Sequence, residues 1–168
     1  VVVRVVELLE PDRVGRDGRL IAFAEEERFT RWKHSARLAP VHSIAYCLRE
    51  AGATLAQVDH LAIGWEDGDR QKRKRRWPWN HLAAQLPWSR RDRRVRYVRH
   101  HRAHAASAYY CSGFDRACVI TLDGYGGSDA GMLGIGEGDD LREVRLIAPK
   151  ESWGRIYGDV TTALGFTP

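Results

Sequence analysis

The 168 residues carry only three cysteines, at positions 47, 111 and 118, and no two of them form a CxxC pair. An odd, dispersed set excludes a disulfide framework and a zinc ribbon, and predicts reduced, mostly buried thiols in a cytoplasmic protein. Long hydrophobic runs are also missing, since nothing approaches the roughly 20 apolar residues that cross a bilayer. The opening "VVVRVV" is broken by Arg4 and lacks a cleavage site, so it does not read as a signal peptide. There is no internal repeat. The chain starts on Val1 and stops at "ALGFTP", which leads us to expect part of a longer protein.

What remains describes one soluble globular domain with a real core: 43% hydrophobic residues and a mean hydropathy of -0.46. Lysine and arginine number 27 against 22 acidic residues. The excess is concentrated between Arg70 and Arg102, in "DRQKRKRRWPW" and "SRRDRRVRYVRHHR".

Periodicity and punctuation predict an α/β domain. "VVVRVVELL" and Arg19 to about Ala24 read as strands of a hairpin turning at Asp17-Gly18. "APVHSIAYCLREAGA" is a helix between Pro40 and Gly52, and "VDHLAIGW" a buried strand. Residues 66–94 form a long basic loop. "RVRYVRH" is a strand leading into the helix "HRAHAASAYYCSG", stopped by Gly113. "ACVITLDGYGG" and "AGMLGIGEGDDLREVRLIAP" give three strands, and "SWGRIYGDVTTALGF" a final helix capped by Ser152.

Three histidines fall within five positions of that middle helix. His100 and His104 are four apart, so both leave one helix face about 6 Å apart along the axis. Two imidazoles so placed can share a divalent metal. His101 and His104 are a second possible pair, and packing against the neighbouring tyrosines is the rival reading. Ala103, Ala105 and Ala106 keep the surrounding surface small. A third ligand is at hand in "VITLDGYGGSD": Asp123 lies at the end of an apolar strand, where α/β sheets present ligands. Gly124, Gly126 and Gly127 let the backbone approach an anion there. The rival reading is an Asp-Gly hairpin turn.

"AFAEEERFTRWKH", "HHRAHAASAYYCSGFDRACVITLDGYG" and "SWGRIYGDVTTALGF" resemble, in order and spacing, the amino-terminal region of the O-carbamoyltransferases of nodulation-factor and antibiotic biosynthesis. The resemblance implies an actin-like ATPase, ribonuclease-H-like mixed sheet with flanking helices, here incomplete. Residues 1–168 would be its amino-terminal part, with 66–94 as a basic insertion. It implies a further, adenylate-forming domain that makes carbamoyl-adenylate from carbamoyl phosphate and ATP. The carbamoyl group then passes to a hydroxyl of a sugar or antibiotic. It also implies a metal, iron in preference to zinc or manganese, on His100, His104, Asp123 and an aspartate beyond Pro168. His101 is the candidate base for the acceptor hydroxyl, and Lys33 and Arg28 the contacts to carbamoyl phosphate. Gly124 and Gly126 would offer N–H groups to a nucleotide phosphate. One departure stands out: "VVVRVVELLEPDRVGRDG" has no histidine where the family carries one at its anion site.

Two other classes compete. An ATP-dependent kinase of the same superfold would use Asp123 for Mg²⁺ and the glycines for phosphates, leaving the histidines without a task. A nucleic-acid module would use "RQKRKRRWPW", with Trp77 and Trp79 stacking on bases, but nothing else forms a nucleic-acid fold. A solvated insertion is the reading we adopt for that stretch.

Overall fold

The computed structural model describes residues 2–6, 20–35, 40–64 and 94–167, with backbone alone for 2–6 and His34. The basic stretch 66–93 and the Asp17-Gly18 turn lie outside the described residues. Two compact units are present, one of residues 1–61 and 72–96, the other of 62–71 and 97–168.

In the first unit, β1 (Val2–Val6) pairs antiparallel with β2 (Leu20–Glu25), the expected hairpin partners. Helix α2 (Val41–Glu50) follows Pro40 as predicted and buries Cys47 against Ala22 and Ala24 of β2. Two expectations for cysteine and strand burial need correction. Only Cys47 is buried, while Cys111 and Cys118 are exposed. The "VDHLAIGW" strand shrinks to β3 (Leu61–Ile63), half-buried or exposed along its length. It pairs in parallel with β4 (Val95–Tyr97): Leu61 N–H donates to Arg94 O and Val98 N–H to Ile63 O, each at 2.8 Å.

Between β2 and α2 stands an element the sequence pattern did not reveal, the one-turn helix α1 (Glu26–Thr30). Five residues are too few to show a helical period. Glu26 is 1% exposed. Its carboxylate caps α2, which Pro40 cannot do with a side chain. Oε2 accepts from Ser43 N–H (2.9 Å) and Ser43 Oγ (2.8 Å), and Oε1 from His42 N–H (3.3 Å) and Nδ1 (2.6 Å). A carboxylate on free N–H groups at a helix start also meets the positive end of the helix dipole.

The second unit is a three-stranded antiparallel meander, β5 (Arg116–Gly126), β6 (Asp129–Glu137) and β7 (Asp140–Ile147), with helix α3 (His100–Tyr109) packed on one face. Val119, Met132 and Leu141 from the strands meet Ala105 and Tyr109 from the helix. The small residues of "HRAHAASA" are what let α3 lie close to the sheet. Helix α4 (Trp153–Ala163) closes the unit, capped by Ser152 as predicted. The α/β class is as expected. Among the described residues no helix is long and apolar enough to cross a membrane.

Burial pushes the Glu26 carboxyl up, but the hydrogen bonds from Ser43 and His42 outweigh it and hold it below its ordinary value. Its stabilisation is therefore fully present above the unfolded-state value and is lost as pH falls through the lower, folded value. Glu26→Gln places an amide against donors and should cost about 1–3 kcal/mol. Thermal melts from neutral to acid pH should show a shallower acid loss in the variant than in wild type; parallel profiles would refute the cap.

Candidate metal centre

His100 opens α3 and His104 stands one turn later, which turns both imidazoles to the same side of the helix. Asp123 comes to meet them because β5 leaves its regular ladder. Leu122 is the last residue in continuous register with β6, and pairing resumes only at Gly126 opposite Asp129. The hairpin turn lies beyond, at Gly127-Ser128, so Asp123-Gly124 is not the turn. The irregularity redirects a carboxylate that would otherwise follow the pleat.

The three side chains converge. His100 Nε2 lies 3.0 Å from His104 Nε2 and 3.0 Å from Asp123 Oδ2, and His104 Nε2 lies 3.6 Å from the same oxygen. A triangle with these sides has a circumradius of about 1.9 Å, which suits an ion bound at roughly 2.0–2.2 Å. The donor chemistry fits as well. Gly64 O accepts from His100 Nδ1 at 3.1 Å, so that nitrogen carries the hydrogen and the lone pair of the neutral ring would be Nε2's, which faces the cluster. Asp123 Oδ1 accepts from Gly124 N–H at 2.8 Å, which leaves Oδ2 for the histidines. Burial raises the Asp123 carboxyl, but its hydrogen bond with His100, the Gly124 N–H and its electrostatic attraction to the two histidines bring it below its usual range. The close approach of these atoms is bridged either by a hydrogen, which His104 Nε2 can carry toward His100, or by a metal ion.

The family described as carbamoyltransferase N-terminus matches residues 13–85 and 78–168. The chain belongs to this carbamoyltransferase amino-terminal family. It is 30% identical to nodulation protein NolNO of Sinorhizobium fredii over 167 residues, covering 90% of the chain and 24% of that protein. Uncharacterized protein sll1178 of Synechocystis sp. is 30% identical over 181 residues, covering 90% of the chain and 29% of that protein. Uncharacterized protein MJ1051 of Methanocaldococcus jannaschii is 27% identical over 157 residues, covering 92% and 28%. The chain thus spans between 24% and 29% of the length of these curated relatives.

In this carbamoyltransferase-family chain the other expected site residues separate. His101, the candidate base, is 3% exposed, and both its ring nitrogens are engaged away from the cluster. Nε2–H donates to Asp129 O (3.1 Å), and Nδ1 accepts from Thr121 Oγ1 (3.2 Å). It fastens α3 to the sheet instead of facing a substrate. The Gly124 N–H, expected on a phosphate, holds the Asp123 carboxylate. Gly126 is small for a different reason from the one expected: a Cβ there would overlap the His100 ring at Cδ2, with Nε2 at 2.8 Å. Lys33 and Arg28 belong to the first unit. Lys33 is exposed in a 3₁₀ turn, Lys33–Ser35, and the exposed Arg28 pairs with Glu25 at 3.0 Å.

Sequence reasoning missed Gly64, whose contribution is a backbone carbonyl 36 positions before His100 and leaves no side-chain signal. Gly126→Ala should drive the His100 ring from its seat and cost about 1–3 kcal/mol, as overpacking does. Thermal unfolding and the His100 imidazole NMR shifts measure this; a variant unchanged in both would contradict the seat.

Proposed function

We propose that this chain is the amino-terminal part of a metal-dependent O-carbamoyltransferase, one that takes the carbamoyl group of carbamoyl phosphate, by way of carbamoyl-adenylate, to a hydroxyl of a sugar or other natural product. Family membership supports the reaction class, and the His100–His104–Asp123 convergence is the observation that carries the metal. In this reading the chain folds as part of an actin-like sheet, and a further adenylate-forming domain supplies the activated donor with ATP. Nodulation protein NolNO, by its name, belongs to a nodulation system; a sugar acceptor is in keeping with the family resemblance.

When bound, a divalent ion would act as a Lewis acid, polarising the carbamoyl carbonyl and offsetting phosphate charge. The protein's own part is to hold that charge in place. His100 and His104 offer Nε2 and Asp123 offers Oδ2, with Gly64 O setting the tautomer of His100. Imidazole and carboxylate together accept iron, zinc and manganese alike, and the family favours iron. Lys33 and Arg28 are proposed to meet the anionic donor, Lys33 at the carbamoyl phosphate or its carbamoyl group. The kinase reading gives the two imidazoles no role.

Metal analysis of the purified chain after loading with Fe²⁺, Zn²⁺ or Mn²⁺ tests the proposal. Wild type should retain about one ion per chain, with affinity at least roughly 100-fold weaker in His100→Ala, His104→Ala and Asp123→Ala, since loss of supporting residues alone costs roughly 10–100-fold. Equal metal in all four proteins, or nucleotide binding with Mg²⁺ alone, would reject it. A longer protein containing this segment should form an O-carbamate from carbamoyl phosphate, ATP and a hydroxyl acceptor.

A further inference from the structure

Ser152 caps α4: its Oγ accepts from Arg155 N–H at 3.1 Å. The same oxygen also lies 2.9 Å from the carbonyl of Asp123 and 2.8 Å from that of Gly124. A hydroxyl has one hydrogen, so it is shared between the two carbonyls while a lone pair serves the cap. Ser152 is 2% exposed, so water does not substitute for it. Both carbonyls fall in the gap in register between Leu122 and Gly126, where β5 leaves its ladder with β6.

A second contact comes from the next turn. A Cβ added at Gly154 would lie 2.5 Å from Asp123 C and 2.7 Å from Asp123 O, and closer still to Gly124 N. The first turn of α4 therefore rests on the peptide that carries the cluster's carboxylate.

We propose that Ser152 and Gly154 are positioning residues for Asp123: α4 braces the irregular segment of β5 so that Oδ2 is held toward His100 and His104. The inference rests on the metal reading above and deepens it. A cap alone would leave the carboxylate free to relax with its bulge, whereas the shared hydroxyl ties the ligand's own backbone to a helix. Displacement of a ligand atom by a fraction of an ångström weakens an ion's hold without removing any ligand.

Co²⁺ titration of the chain, followed by visible absorption, tests this, because band shape reports ligand geometry as well as occupancy. Ser152→Ala should weaken Co²⁺ binding about 10-fold, in the range of lost supporting residues, and alter the absorption envelope. Ser152→Asn and Ser152→Asp separate brace from cap. The two are closely matched in size and both cap helices well, but only asparagine can donate to the carbonyls. Asn should retain tighter Co²⁺ binding than Asp. Gly154→Ala, which leaves the Ser152 hydroxyl in place, should weaken binding as well and keeps the test open where a Ser152 variant fails to fold. Variants that lose thermal stability but bind Co²⁺ with wild-type affinity and spectrum would overturn the brace while sparing the metal site. Wild-type protein that binds no Co²⁺ would remove the metal reading and the brace together.

Discussion

The hydrogen bond from His100 Nδ1 to the Gly64 carbonyl, 3.1 Å long, decides which nitrogen of that ring carries a lone pair. With Nδ1 committed as donor, Nε2 of the neutral ring turns its lone pair toward His104 and Asp123, so that His100 Nε2 and Asp123 Oδ2 face each other as acceptors. Two facing acceptors are relieved by a hydrogen from His104 Nε2 or, more strongly, by a cation placed among the three atoms, which is the electrostatic content of a metal site. The ring reaches this position only because Gly126 has no side chain where the ring lies. One imidazole is thus fixed by a carbonyl from β3's end and by the bare backbone of β5.

A second constraint acts on the carboxylate. A regular strand would send alternate side chains to opposite faces, and Asp123 would take whichever face its register dictated. The break after Leu122 removes that dictation, and the segment is then held by side chains and by α4 instead of by a ladder. The centre combines a rigid helix, which spaces the histidines, with an irregular strand whose geometry is set from outside. His101, placed between the two ligands in sequence, turns the other way and ties α3 to β6 and to Thr121. The same few residues therefore build both the site and the core beneath it.

Much of this was legible in the sequence because its signals are local. The i, i+4 spacing of His100 and His104 needs only a helix to place two rings together, and Pro40 and Ser152 mark helix starts through backbone chemistry, whereas α3 ends at Tyr109, ahead of the Gly113 expected to stop it. Asp123 was legible as a carboxylate after an apolar run. What was not legible depends on distant partners. Gly126 reads as a phosphate-loop glycine until the His100 ring is seen against it, and Gly124 reads as an anion donor until its N–H is found on Asp123. Glu26 reads as surface charge among three successive glutamates, because nothing local shows that it will cap a helix 15 residues on. His101 looked catalytic by adjacency alone, and adjacent residues on a helix leave the axis about 100° apart, which is enough to turn His101 onto the sheet.

Anomalous diffraction from crystals of the chain soaked with Co²⁺ tests the central claim most directly. The account predicts a single strong peak between His100 Nε2, His104 Nε2 and Asp123 Oδ2, with His100 Nδ1 still bonded to Gly64. No peak there, or a cation bound elsewhere while the three side chains hold their ion-free contacts, would contradict it.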